Sequence, residues 1–235
     1  MRIADPDVSL VADEGDILNE MLSLPGASVL ELGCGKADKT RLVARTAASV
    51  LALEVDATQL ANNRATEKPD NVRFEYGGAE NIPAEDASFD IVLMFKSLHH
   101  VPTERMDDAF AEIRRVLKPS GVAYVSEPVY AGDFNEILRL FHDEKAVREA
   151  AFVAEMKAVS TQRLSLLTQK FFLQPVHFED FSQFENQILK VTHTDHQLSP
   201  ALHDAVRSKF SEHLSASGAT LHMPIRVDLF RKDPG

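Results

Sequence analysis

The chain has 235 residues, 44% apolar and 26% charged, the composition of an ordinary globular protein with one sizeable core. Its formal net charge of −11 disfavours a nucleic-acid partner, because phosphate binding draws its strength from clustered Lys and Arg; a neutral or cationic small molecule suits it better. No apolar run approaches the roughly eighteen residues that span a bilayer, the start Met1-Arg2-Ile3-Ala4-Asp5-Pro6 lacks the apolar stretch of a signal peptide, and Cys34 is the only cysteine. A cytosolic chain is therefore expected, with no membrane span, internal disulfide or cysteine-rich zinc site.

In chain order, Ile17, Leu18, Met21, Leu22 and Leu24 fall at helical spacing before Pro25-Gly26, which predicts a helix that either covers the entrance to a ligand site or packs for stability alone. Val29 to Leu32 follows as a buried strand and breaks into Gly33 and Gly35, whose freedom of φ lets the backbone turn its N–H groups toward a ligand at the next helix's positive end. Cys34, inside that turn, reads as a packed small residue. Arg41 to Ala44 opens a short helix, and Ser49 to Leu53 is the next strand, ending in Glu54. An acid about twenty residues past the glycines, at a strand's carboxyl tip, is where a ribose needs an acceptor. Asp56 competes for that role, but its place ahead of Gln59 and Leu60 fits a helix N-cap, so Glu54 is preferred.

The residues Val29-Leu30-Glu31-Leu32-Gly33-Cys34-Gly35 resemble the first motif of the class I S-adenosylmethionine-dependent methyltransferases. A nicotinamide fingerprint would want a third glycine where Asp38 stands; the methyltransferase pattern usually has one where Ala37 stands, and alanine costs little there if its φ is negative. The resemblance implies that S-adenosylmethionine is the cofactor. Gly33 and Gly35 would approach its methionyl part, Glu54 would hold the ribose and Glu31 would support the loop. It also implies an acid against the adenine amino group where this chain has Gly78, leaving Ala79 through its backbone and Glu80 as a substitute.

Beyond Glu54, residues 59–66 read as a helix and 71–76 as a third strand, before the turn that holds Gly78, Ala79 and Glu80. Ser88 to Phe95 is the clearest strand, nearly continuous apolar and so buried on both faces. It runs out at Lys96-Ser97-Leu98-His99-His100, beyond a strand's carboxyl end, where an open α/β sheet gathers its chemistry. His99 and His100 are the candidate bases for a hydroxyl or amine acceptor, and adjacent residues point differently, so at most one faces a substrate. Glu104 to Leu117 carries a helical apolar stripe, Lys118-Pro119-Ser120-Gly121 turns, and Val122 to Glu127 is the fifth strand, with Ser120 where the family more often has a second glycine. Alternating strands and helices predict right-handed crossovers and a doubly wound parallel sheet.

Residues 130–170 form a long helical pattern rich in Phe, Leu and Met, expected as a lid over an apolar acceptor pocket or, alternatively, as a packing pair. Residues 172–181 and 223–230 read as the last strands, with helices near 184–189 and 200–214 between them. The predicted fold is thus one α/β domain over residues 1–235: a Rossmann-like doubly wound sheet of seven strands, mostly parallel with an antiparallel last strand, and helices on both faces. His193-Thr194-Asp195-His196 has metal-like spacing but precedes a helix start at Ser199-Pro200, so a polar lead-in is expected and no metal site. The predicted activity is methyl transfer to a small-molecule acceptor. The alternatives are a module that binds S-adenosylmethionine without turnover and a nicotinamide-dependent oxidoreductase. The oligomeric state has no signature in the sequence.

Overall fold

The structure, a computed structural model, describes residues 1–161, 164–190 and 198–233. Five segments become parallel strands: β1 (Ser28–Leu32), β2 (Ser49–Glu54), β3 (Val72–Tyr76), β4 (Phe89–Phe95) and β5 (Leu117–Pro128). Two long strands complete the sheet, β6 (Leu164–Phe178) and β8 (Gly218–Lys232), with the two-residue β7 (Leu214–Ser215) forming a small hairpin onto β8. Strand order is β3-β2-β1-β4-β5-β8-β6, and β8 runs antiparallel to both of its long neighbours. The order reverses between β1 and β4, so their carboxyl ends diverge around a crevice, the position where open α/β sheets bind ligands.

Helices cover both faces. On one, α4 (Met106–Val116) and α6 (Lys145–Thr161) place Phe110, Ile113, Ala151 and Ala158 against Leu30, Val92, Val125 and Phe230. On the other, α1 (Glu14–Met21), α2 (Asp38–Val43) and α3 (Ala57–Ala65) bring Ile17, Val43 and Leu60 against Val29, Leu93, Tyr124 and Val227. The alternation of Val227 and Phe230 between the two cores follows the strand period of two. Among the described residues no helix is long and apolar enough to cross a membrane.

The ladder between β5 and β8 stops at Pro128 opposite Ile225, whereas β6 and β8 stay paired for six further residues each, from Leu173 opposite Pro224 to Phe178 opposite Ala219. This ribbon projects about 20 Å past the carboxyl edge of the parallel strands. It carries its own core, in which Ile137 of α5 (Gly132–Leu138), Phe181 and Phe184 of α7 (Phe181–Phe184), and Val206 and Phe210 of α8 (Pro200–Ser211) surround Phe178 and Leu221.

Two boundaries and one backbone angle depart most from the sequence reading. The helical stretch expected over residues 130–170 ends at Thr161, and Leu164–Lys170 instead open β6. That half of β6 lies at the sheet edge, where most of its side chains are only partly covered, so its apolar signal is weak. Phe181 is not a strand end: Asp180 accepts from the Gln183 N–H at 2.8 Å and caps α7, which runs into a single π turn at Glu185–Leu189. Ala37 does not take negative φ. It is left-handed at φ +62°, as is Ser120 at +64°, so both positions where glycine is usual keep the glycine conformation with another residue, at about 1–2 kcal/mol each. The motif at His193–His196 lies outside the described residues.

Candidate active site

Two turns meet at the crevice. Leaving β1, the amides of Gly33 and Cys34 both donate to the Leu53 carbonyl at 3.0 Å, with Gly33 at φ +73°. A side chain on Gly33 would stand 2.8 Å from the Cβ of Ser97, on the turn after β4, whose hydroxyl donates to the Leu32 carbonyl at 2.8 Å. Only glycine permits that approach. Gly35, at φ +49°, has nothing within 4 Å of where a Cβ would be, so its backbone borders open space.

Glu54 is 7% exposed and tied to this turn: its Oε2 accepts from Gly35 N–H at 2.8 Å, and its Oε1 from Val55 and Asp56 N–H at 2.9 Å each. Asp56 accepts from Thr58 N–H at 2.8 Å and Gln59 N–H at 3.2 Å, the N-cap of α3. The two acids thus separate as the sequence suggested, one facing the glycines and one capping. Asn63 of α3, which the sequence gave no reason to single out, donates to the Gly35 carbonyl at 2.7 Å and fixes the far side of the turn.

Behind the loop, Glu31 is 2% exposed and accepts from the Thr40 hydroxyl at 2.6 Å. Burial raises its pKa to about 7, opposed by the Thr40 bond and by Lys39. Cys34, inside the turn, is 7% exposed, and burial pushes its thiol up to about 12. In the turn after β3, Ala79 is buried, and the Glu80 carboxylate folds back over Gly78, its carboxyl carbon 2.8 Å from where a side chain on Gly78 would begin. The Glu80 carboxylate thus occupies the space that a side chain on Gly78 would enter.

Lys96 leaves β4 at φ +53° and ion-pairs with the buried Glu14 of α1, whose other oxygen takes the Ser126 hydroxyl. The two histidines diverge. His99 is 5% exposed: Nδ1 is 2.5 Å from Glu127 Oε2, and Nε2 is 3.7 Å from Glu144 Oε1. Burial alone would lower its pKa, but Glu127 and Glu144 outweigh that and raise it. Glu127, whose pKa burial would raise, is instead held below the usual carboxylate range by His99 and the Leu98 N–H. His100 is exposed, with its ring centroid 4.1 Å from that of His99. Glu127 is the next-to-last residue of β5, as Glu54 is the last of β2, so the same rule, an acid at a strand's carboxyl tip, could have found it. Glu14, Glu144 and Ser97 carry no such signal. A surface cleft of about 480 Å³ opens among Ser49, Lys68, Asn71 and Phe89 at the opposite end of the strands, where they begin; it shares no residue with this site, and the strand ends outweigh cleft volume in locating chemistry.

A glycine turn feeding a helix, an acid at the tip of the next strand and a reversal of strand order between β1 and β4 are the features of a Rossmann-like nucleotide-cofactor site. Residues 30–125 match the methyltransferase-domain family, so this stretch is a class I S-adenosylmethionine-dependent methyltransferase domain. It is 33% identical over 181 residues to the 27-O-demethylrifamycin SV methyltransferase of Amycolatopsis mediterranei (strain S699), covering 72% of this chain and 62% of that one. To the uncharacterized methyltransferase YcgJ of Bacillus subtilis (strain 168) it is 28% identical over 194 residues, 75% of this chain and 73% of that one. The crystal structure of YcgJ superposes with a TM-score of 0.62, at 17% identity across 94% of this chain and 98% of the other. The fatty-acid O-methyltransferase of Mycolicibacterium smegmatis (strain ATCC 700084 / mc(2)155) is 30% identical over 130 residues, 50% of this chain and 47% of that enzyme. The chain thus spans less than two thirds of the rifamycin and fatty-acid enzymes.

Proposed function

We propose that this protein transfers a methyl group from S-adenosylmethionine to a small-molecule acceptor by in-line displacement. The observation that carries the proposal is the contact between the two turns: Gly33 lacks a side chain where Ser97 packs, so the donor loop and the His99–His100 turn share one crevice. The residues present fit the cofactor. Gly35 leaves its backbone beside open space, and the Glu54 carboxylate at the loop suits a ligand carrying ammonium and sulfonium charges.

In this reading the backbone at Gly33 and Gly35 receives the methionyl part, Glu54 accepts from the ribose hydroxyls while keeping its bonds to the turn, and Glu31 with Thr40 holds the loop in shape. The Ala79 backbone borders the adenine, and Glu80, folded over Gly78, supplies the missing acid. Bound S-adenosylmethionine supplies an already activated methyl group. The chain's own task is then placement and exclusion of water, which can account for a large part of such a barrier. Where the acceptor is a hydroxyl or a protonated amine, its proton leaves toward His99, oriented through Nδ1 by Glu127; His100, exposed, is the lesser candidate.

The negative net charge supports a small, neutral or cationic acceptor over nucleic acid, and a cytosolic location belongs to the same reading. The cover over the acceptor is α5, held on the β6–β8 ribbon past the strand ends, because α6 buries Ala151 and Ala158 in the main core. Ala37 in the left-handed region keeps a second reading in view, binding without turnover. Calorimetry with S-adenosylmethionine and S-adenosylhomocysteine, joined to a turnover screen over phenols, amines and quinone precursors, tests the proposal. Donor binding with turnover of some acceptor supports it, donor binding with no turnover across the screen favours the second reading, and absence of donor binding refutes both.

A further inference from the structure

The turn after β4 and the start of α6 bring two imidazoles and a carboxylate together: His99, His100 and Glu144 each offer a ligand atom, and these atoms lie within 4.8 Å of one another. A histidine that ligates a metal commonly donates its other ring N–H to a carboxylate, which sets its tautomer and ring orientation. Glu127 stands in that relation to His99, 2.5 Å from Nδ1, and is itself fixed by the Leu98 N–H at 2.9 Å. Glu144 is divided in the same manner. Its Oε2 accepts from Arg148 at 2.6 Å, and its Oε1 is turned toward His99 at 3.7 Å and His142 at 3.1 Å.

We propose that His99, His100 and Glu144 form a binding site for a divalent transition-metal cation such as zinc, beside the acceptor end of the crevice. Two imidazoles and one carboxylate suit zinc and the late first-row metals, whereas magnesium and calcium take oxygen ligands. With neutral imidazoles, Glu127 and Glu144 against Arg148 leave one net negative charge to meet the cation. A tetrahedral shell with bonds of roughly 2.0–2.1 Å wants ligand atoms about 3.4 Å apart. The pair at 3.7 Å is close to that, and all three ligand atoms lie within 4.8 Å of one another, a modest distance from the geometry of a bound shell. Three protein ligands would leave a position open to an acceptor oxygen, whose pKa the cation would lower, so that with metal bound the acceptor's proton passes to solvent and His99, coordinated through Nε2, no longer serves as its base. That catalytic consequence rests on the methyltransferase reading, while the binding itself does not.

The test is a titration of the chelator-treated full chain with Co²⁺, followed by visible d–d absorption, and then displacement by Zn²⁺. One Co²⁺ per chain is expected, with affinity reduced at least about tenfold by His100→Ala and about 10- to 100-fold by Glu127→Gln. His100 is exposed, so its variant stays folded even if Glu127→Gln does not. A variant lacking His193 and His196 should bind as the parent does. Binding no tighter than millimolar, affinity that survives both His100→Ala and Glu144→Gln, or affinity lost with His193 and His196 overturns the proposal. Donor affinity, measured by calorimetry without added metal, reports separately on the methyltransferase reading.

Discussion

Replacing Glu31 with Gln should stabilise the protein, and more so at high pH. In the unfolded chain this carboxyl ionises near 4.5; in the fold it does so only near 7, because burial favours the neutral form more strongly than the Thr40 bond and Lys39 favour the charged one. Between those values the native state keeps a proton that the unfolded chain has released, so stability falls as pH rises from about 4.5 through about 7. At about 1.4 kcal/mol per pH unit, the gap costs about 3 kcal/mol by pH 8 and under about 1 kcal/mol at pH 5. Gln is neutral at both, nearly isosteric, and still accepts from the Thr40 hydroxyl, which lies 2.6 Å from the carboxylate. Urea unfolding at the two pH values should therefore show Glu31→Gln more stable than the parent by about 2–3 kcal/mol at pH 8, and close to it at pH 5. An equal effect at both, or a less stable variant at pH 8, would refute the reasoning.

Glu54→Ala should weaken donor binding by about 1.5–3 kcal/mol in calorimetry, the range for a hydrogen bond to a charged group, whereas Asp56→Ala should cost about 1 kcal/mol of stability as a lost cap and leave the donor affinity unchanged. The opposite pattern would transfer the ribose to Asp56. His99→Ala should slow transfer to a hydroxyl acceptor by a factor of about 10² to 10⁴ with donor affinity intact, and near-full turnover would remove the histidine turn from the chemistry. Amide exchange in α5 should slow when donor and acceptor are both bound while exchange in α6 stays the same; an equal response in both helices would show that α5 is not the cover.

What could be known from the chain alone is what local rules control. The strands β1, β2, β4 and β5 were legible because parallel strands buried on both faces write themselves as apolar runs, Phe89–Phe95 most plainly, and the edge strand β3 by its alternation of buried and exposed residues. Asp56 was legible as a cap because its partners, Thr58 and Gln59, are two and three residues away. The glycine turn announced itself through the φ values that only Gly33 and Gly35 tolerate freely. Tertiary structure decided the rest. The first half of β6 is an edge whose residues are half covered, so its pairing with β8, and not its own pattern, makes it a strand. Ala37 takes a left-handed φ because its surroundings hold it there, against its own preference. Glu127, His99 and Glu144 come from β5, the turn after β4 and the approach to α6, and no spacing joins them. The order of strands brings β4 beside β5, and only then does the interior, with water excluded, raise the pKa of Glu31 and hold an imidazole between two carboxylates.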